Sequence, residues 1–230
     1  GGANTVTTGT ENDKVTVAGA SNKVTTGSGN DVVVANGASN VIDTSGDAIY
    51  QTTTTDTYET VKILGKSIKI KTGSVTTTTV ISNDDDTVTV SAVSNIVKVG
   101  NGNNTVTASG GYNSISAGTG DDTVTASGGY NTISIGDGTN SVNASGGYNA
   151  ITTGSGSDTI KAYGGGNNIA ANDGNNNVTA EGGANVVTTG SGKDTISVAG
   201  AANVVTTNAG DDTITAAGAS NTINTGDGDD

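Results

Sequence analysis

Asparagine recurs every 18 residues along the second half of the chain, at Asn113, Asn131, Asn149, Asn167, Asn185, Asn203 and Asn221. Two apolar columns keep the same step. One runs Val106, Val124, Val142, Ile160, Val178, Ile196 and Ile214; the other runs Ile115, Ile133, Ile151, Ile169, Val187, Val205 and Ile223. The columns stand nine residues apart, so each period holds two half-repeats. Asn4, Asn22 and Asn40, with Val6, Val24 and Ile42 beside them, extend the rule to the N-terminal part. A fixed period of this kind is the mark of a stacked-repeat architecture, in which one supersecondary unit buries its apolar face against the next.

Each column residue sits in a triplet such as Thr123-Val124-Thr125 or Thr195-Ile196-Ser197. Polar–apolar–polar alternation of β-branched residues is a strand signal, and the Gly-, Asn- and Ser-rich segments that follow are turn signals. The reading is all-β: flattened 18-residue coils of two short strands, stacked in parallel about 4.8 Å apart, with Val and Ile inward and Thr and Ser outward. Composition agrees. The 230 residues contain no Phe, Trp, Met, Cys, Pro or His, and only 31% are hydrophobic. A globular core of ordinary thickness is out of reach, and a repetitive solenoid is not.

The register breaks once, between Asn40 and Asn95. Within that stretch, Tyr58-Glu59-Thr60-Val61-Lys62-Ile63 and Ser67-Ile68-Lys69-Ile70-Lys71 are two alternating runs separated by Leu64-Gly65-Lys66, which reads as an inserted β-hairpin. The organisation expected is one continuous solenoid with coils over 1–43, the hairpin segment over 44–83 and further coils over 84–230. A set of degenerate coils is the alternative, because the interval is close to three periods.

The two edges differ chemically. One carries Gly118-Thr119-Gly120-Asp121-Asp122, Gly154-Ser155-Gly156-Ser157-Asp158, Gly190-Ser191-Gly192-Lys193-Asp194 and Gly226-Asp227-Gly228-Asp229-Asp230. These turns, repeated at fixed phase, resemble the RTX (repeats-in-toxin) nonapeptide G-G-x-G-x-D-x-U-x, where U is apolar. The resemblance implies a right-handed parallel β-roll with several calcium ions in the turns along one edge. It implies metal-ligating roles for the sixth-position carboxylates Asp13, Asp31, Asp86, Asp122, Asp158, Asp194, Asp212 and Asp230. Three turns depart from the pattern with Asn104, Asn140 and Asn176; two of these carry a third-position acid instead, Asp137 and Asp173. With Asp227, also third in its turn, they complete the candidate ligand set. Calcium chemistry supports the carry-over: the ion takes six to eight hard oxygen ligands, carboxylates and carbonyls among them. Like charges stacked at strand spacing repel by about 1 kcal/mol per pair in water and more at lower dielectric. The competing reading is a row of solvated acidic turns.

The opposite edge reads Ser109-Gly110-Gly111-Tyr112-Asn113, Ser127-Gly128-Gly129-Tyr130-Asn131 and Ser145-Gly146-Gly147-Tyr148-Asn149, with Asn at every sixth position. Neutral amides stacked at strand spacing form hydrogen-bonded ladders, so this edge is expected to need no metal. Tyr112, Tyr130 and Tyr148 form an aromatic stripe that either braces the turns or offers sugar rings a stacking platform.

Function classes narrow quickly. A net charge of −13, with lysine as the only basic residue type, disfavours nucleic acid. No apolar run reaches the roughly 20 residues of a membrane span. Without His, Cys or Arg the usual nucleophile–base pairs and anion clamps cannot be assembled, so the chain is read as a non-enzyme. Few large side chains per coil leave little to offset the ordering of the backbone. Folding coupled to calcium is expected, in keeping with export unfolded and folding outside a bacterial cell. The chain lacks an initial Met and stops inside a turn at Asp230, which reads as a fragment or processed product. The leading function is a secreted, extracellular calcium-binding structural protein that self-associates head to tail into a filament, surface layer or matrix, with cell-surface polysaccharide as a further partner. A stalk or secretion module of a larger adhesin or toxin is the alternative. Ice binding is a third reading, weakened because Asn143, Lys161 and Asn177 interrupt the outward Thr columns.

Overall fold

The computed structural model describes residues 101–230 throughout and, ahead of them, residues 4–9, 13–18, 23–25, 32–36, 41–43, 60–62, 67–71, 77–79, 85, 87–91 and 96–99. Every regular element among the described residues is a strand. The chain divides into two compact units, residues 1–118 and 119–230.

In the second unit each coil supplies one strand of four or five residues and one of three. The longer strands, Thr123–Ala126, Ser141–Ala144, Thr159–Ala162, Asn177–Ala180, Thr195–Ala199 and Thr213–Ala217, pair in that order, all parallel and 18 residues apart in register. The three-residue strands Thr132–Ser134, Ala150–Thr152, Asn168–Ala170, Val186–Thr188, Val204–Thr206 and Thr222–Asn224 build the second sheet by the same rule. The product is a parallel β-solenoid of 18-residue coils, as the periodicity requires. Burial alternates along the strands because successive side chains of an extended chain point to opposite faces. The inward set is thin: one Val or Ile from each strand before the last coil (two, Ile196 and Val198, from Thr195–Ala199), Ala126, Ala144, Ala162 and Ala180 behind the longer strands, and Asn or Asp at the ends of the coils.

Threonine also enters the core. Thr153, Thr189 and Thr207 are fully buried in the column that Ile135 and Ala171 also occupy. Their hydroxyls donate to the carbonyls of Ala171, Thr207 and Thr225 in the following coil, at 3.4, 3.2 and 2.9 Å. A buried hydroxyl is tolerated when it is bonded in this way.

The turns stack as tightly as the strands. The N–H groups of Gly138, Gly156, Gly174 and Gly192 donate to the carbonyls of Ser155, Asp173, Ser191 and Ala209 one coil on, at 2.7–3.0 Å. This is why the fourth turn position is glycine. Gly156 has φ +134°, and a Cβ there would lie 2.0 Å from the carbonyl oxygen of Gly138.

The first unit follows the same plan with a less even pitch. Thr5–Thr7, Lys23–Thr25, Val41–Asp43 and Thr60–Lys62 pair in parallel, as do Lys14–Ala18, Val32–Asn36, Ser67–Lys71, Thr87–Ser91 and Thr105–Ser109. Thr77–Thr79, Ile96–Lys98 and Ser114–Ser116 make a third parallel set. The inserted hairpin is therefore corrected. Thr60–Lys62 pairs with Val41–Asp43, and Ser67–Lys71 lies between Val32–Asn36 and Thr87–Ser91, so the two runs join different sheets rather than each other. The described strands of this stretch are degenerate coils. Val41 faces Thr60 and Ser67 faces Thr87, offsets of 19 and 20 residues that displace the 18-residue phase.

Candidate metal centre

The sixth position of each aspartate-edge turn in the second unit forms one column: Asp122, Asn140, Asp158, Asn176, Asp194, Asp212 and Asp230. All but the last are buried, because this side chain turns inward to close the end of its coil. From Asn140 onward, one oxygen of each member accepts the backbone N–H of the member one coil earlier. Asn140 donates to Asp158 Oδ1 and Asn176 to Asp194 Oδ1, both at 2.8 Å; Asp194 donates to Asp212 Oδ1 at 2.8 Å and Asp212 to Asp230 Oδ1 at 2.9 Å. Asp122 and Asp158 donate to the Oδ1 atoms of Asn140 and Asn176, at 3.0 and 3.1 Å.

The other terminal atom separates the two residue types. In Asn140 the amide Nδ2 turns back into its own turn and donates to the carbonyls of Gly136 and Gly138, at 3.0 and 3.3 Å. Asn176 does the same with Asn172 and Gly174, at 3.0 and 3.1 Å. In Asp158, Asp194 and Asp212 the corresponding atom is Oδ2, which is buried and has no hydrogen-bond partner. A buried, unbonded carboxylate oxygen is costly. Burial accordingly pushes the Asp194 carboxyl up, with the negative Asp212 adding to it against the opposing hydrogen bond from the Asn176 N–H.

Third- and fifth-position groups behave differently. They are exposed and accept from the following coil, not the preceding one. Asp137 Oδ1 takes the Ser155 N–H at 2.7 Å; Asp173 Oδ1 takes the Ser191 N–H at 2.7 Å and the Ser191 hydroxyl at 2.9 Å, which holds its carboxyl below the usual range. Asp121, Asn175 and Asp211 hold the N–H groups of Thr139, Lys193 and Asp229 likewise. Asp137, Asp173 and Asp227, the third-position candidates for the ligand set, are exposed on the outer rim of their turns. Asp13 is half-buried in the first unit, while Asp31 and Asp86 lie outside the described residues. The fifth-position acids and the buried threonines beside the column were not singled out from the sequence, because neither set recurs at every 18-residue step: Thr139, Ser157, Asn175 and Lys193 separate Asp121 from Asp211, and Ala171 separates Thr153 from Thr189.

Calcium fits these turns. Among the described residues no three carboxylates gather at one point. Calcium also accepts mixed sets in which carboxylates are joined by backbone carbonyls, and carbonyls of the same turn stand beside the sixth-position side chain at Asn140 and Asn176. Asp122, Asp158, Asp194, Asp212 and Asp230 are the residues of the second unit that would hold ions.

The opposite edge satisfies itself. Asn149 donates its N–H and its Nδ2 to Asn167 Oδ1, both at 3.0 Å, and Asn167 repeats this on Asn185, Asn185 on Asn203 and Asn203 on Asn221. Each amide also reaches a glycine carbonyl of its own turn, Asn167 that of Gly164 and Asn185 that of Gly182. This is the ladder expected from the sequence. Beside it, the rings of Tyr130 and Tyr148 stack with centroids 5.0 Å apart and 10° between planes. A Cβ on Gly166 would touch the Tyr148 ring at 2.8 Å, so that ring lies against the next coil as well. The faces that Tyr130 and Tyr148 turn to each other brace consecutive coils.

A family model, the RTX calcium-binding nonapeptide repeat (4 copies), matches residues 1–33, 18–48, 99–133, 162–196 and 199–230. No curated protein and no solved structure is significantly similar to the chain.

Proposed function

Since the chain belongs to the RTX calcium-binding repeat family, we propose that it is a secreted structural protein whose coils take up calcium along the aspartate edge. The observation that carries this reading is the stack of buried Oδ2 atoms of Asp158, Asp194 and Asp212, which have no partner within the chain. When bound, calcium supplies positive charge that these carboxylates otherwise lack. The residues themselves fix the coil-to-coil register through Oδ1 and close the end of the core. Because cation uptake belongs to the folded state alone, it stabilises the fold by linkage.

RTX repeats are typical of secreted bacterial proteins, and no helix of the described residues is long and apolar enough to cross a membrane. Low calcium inside a cell and higher calcium outside would time the folding to export. The family is generally structural, and the residue inventory agrees, with neither His nor Cys available for catalysis. We extend the reading to self-association of folded copies into an extracellular filament, layer or matrix. Contact with cell-surface polysaccharide would go through the exposed rims of Tyr130 and Tyr148, because their faces are engaged.

Circular dichroism in chelator and then in millimolar calcium tests the core of the proposal: the β signal should appear with the metal. A spectrum already β-rich in chelator and unchanged by calcium overturns metal-coupled folding. Electron microscopy of the calcium-loaded protein tests assembly. Polymers are expected, and isolated particles at high concentration would favour a stalk segment instead.

A further inference from the structure

We propose that the side-chain amides of Asn140 and Asn176 take the place of calcium ions, so that metal-free turns alternate with metal-holding turns from Asp122 to Asp194 along the aspartate edge of the second unit. The proposal rests on the calcium reading of that edge and adds which turns are loaded.

Two side chains of nearly identical shape share one column. Both use Oδ1 for the backbone N–H of the preceding coil. They differ in the remaining atom. In asparagine it is a donor, bonded to two carbonyls of its own turn: Gly136 and Gly138 for Asn140, Asn172 and Gly174 for Asn176. In Asp158, Asp194 and Asp212 it is a buried acceptor with nothing to accept from. An amide therefore supplies internally the positive character that the carboxylate turn takes from a cation. On the opposite edge the amides of Asn149, Asn167 and Asn185 also turn back into their own turns, but each bonds a single carbonyl there, of Gly146, Gly164 and Gly182.

The acids that accompany the two asparagines fit this division. Asp137 and Asp173 are exposed and tie the next coil through the N–H groups of Ser155 and Ser191. They are coil tethers outside the cradle rather than ligands within it. The pattern repeats every 36 residues, since Asp137 with Asn140 and Asp173 with Asn176 alternate with Asp158 and Asp194. Asp158 then stands alone between two amides, whereas Asp194, Asp212 and Asp230 follow one another without interruption.

The test is made on the full chain with calcium alone as the probe, counting bound ions by native mass spectrometry and following folding against calcium concentration by circular dichroism. Asp158→Asn should lose one ion and fold at a lower calcium midpoint. Asn140→Asp and Asn176→Asp should each gain one ion and raise the midpoint, and Asp137→Asn should leave the ion count unchanged. The proposal is overturned if Asp158→Asn needs more calcium to fold, if the asparagine-to-aspartate variants fold without gaining an ion, or if Asp137→Asn loses one. Should an asparagine variant fail to fold, the Asp158→Asn and Asp137→Asn results still decide. A wild-type chain that takes up no calcium removes the calcium reading along with the proposal, while a loaded wild type with unresponsive variants removes the proposal alone.

Discussion

Replacing Asn167 by aspartate exchanges one NH2 group for one oxygen in the middle of the asparagine ladder, and its cost can be worked from the bonds on either side. Oδ1 survives the change, so the Asn149 N–H and Nδ2 keep their acceptor at 3.0 Å. Two donor bonds are lost, to the Gly164 carbonyl and to Asn185 Oδ1, the latter 2.9 Å long in the native chain. Asn185 Oδ1 keeps the Asn167 N–H, so the groups left bare are the Gly164 carbonyl and the new Oδ2. Leaving a buried polar group unsatisfied costs about 1–3 kcal/mol, more if it is charged, so Asn167→Asp should destabilise by about 3–5 kcal/mol. Urea unfolding in saturating calcium, followed by circular dichroism, measures it. Calcium should not rescue the variant. On this edge the amide reaches one carbonyl of its own turn, whereas Asn140 and Asn176 each reach two. A loss below about 0.5 kcal/mol would refute the ladder as a source of stability, since surface changes alone stay within that range. A loss erased by added calcium would refute the chemical distinction between the edges.

Other outcomes follow from the same geometry. Gly156→Ala should abolish cooperative unfolding of the second unit, because its Cβ would meet the Gly138 carbonyl oxygen at 2.0 Å; Gly9→Ala, with nothing within 4 Å, should melt like the native chain. Val187→Ala should cost about 2 kcal/mol in urea unfolding and Val186→Ala far less, since these neighbours are 0% and 41% exposed. Equal losses would contradict the assigned faces. The metal-free chain should gain β structure on acidification. Burial raises the folded-state pKa of Asp194, so its protonated form favours folding: that contribution is complete below the ordinary carboxylate range and disappears as pH rises through the raised value. Asp173, shifted the other way, is exposed and weighs little. An acid titration in chelator checks this, and Asp194→Asn should remove its share of the gain.

The coil plan was legible because stacking imposes the same demand at the same place every 18 residues. Val124, Val142 and Ile160 had to face inward together, and Asn131, Asn149 and Asn167 had to meet, so the columns were already contacts. Where one pattern serves two pairings, the sequence was ambiguous. Ser67-Ile68-Lys69-Ile70-Lys71 alternates equally well as a hairpin arm or as a solenoid strand, and Leu64-Gly65-Lys66 gave the loop a hairpin expects. The strands on either side, Val32–Asn36 and Thr87–Ser91, decided it, and they act from outside any local window.

The acidic turns were legible as a row but not as a mechanism, because what distinguishes their members is the direction in which each side chain reaches. Asp158 accepts from the coil before it and Asp137 from the coil after it, although both are aspartates in glycine-rich turns of the same edge. The first direction buries a carboxylate and leaves Oδ2 short of a partner; the second leaves the carboxylate in solvent. Charge therefore has two separable effects on this fold. On the rim it can be moved or removed at small cost, since an exposed acid is solvated in any state. On the calcium reading proposed above, each carboxylate in the inward column would make the fold depend on a cation, and each amide in its place would make that coil independent of one. A chain that mixes both in one column can set how many ions its folding requires without altering the backbone that stacks.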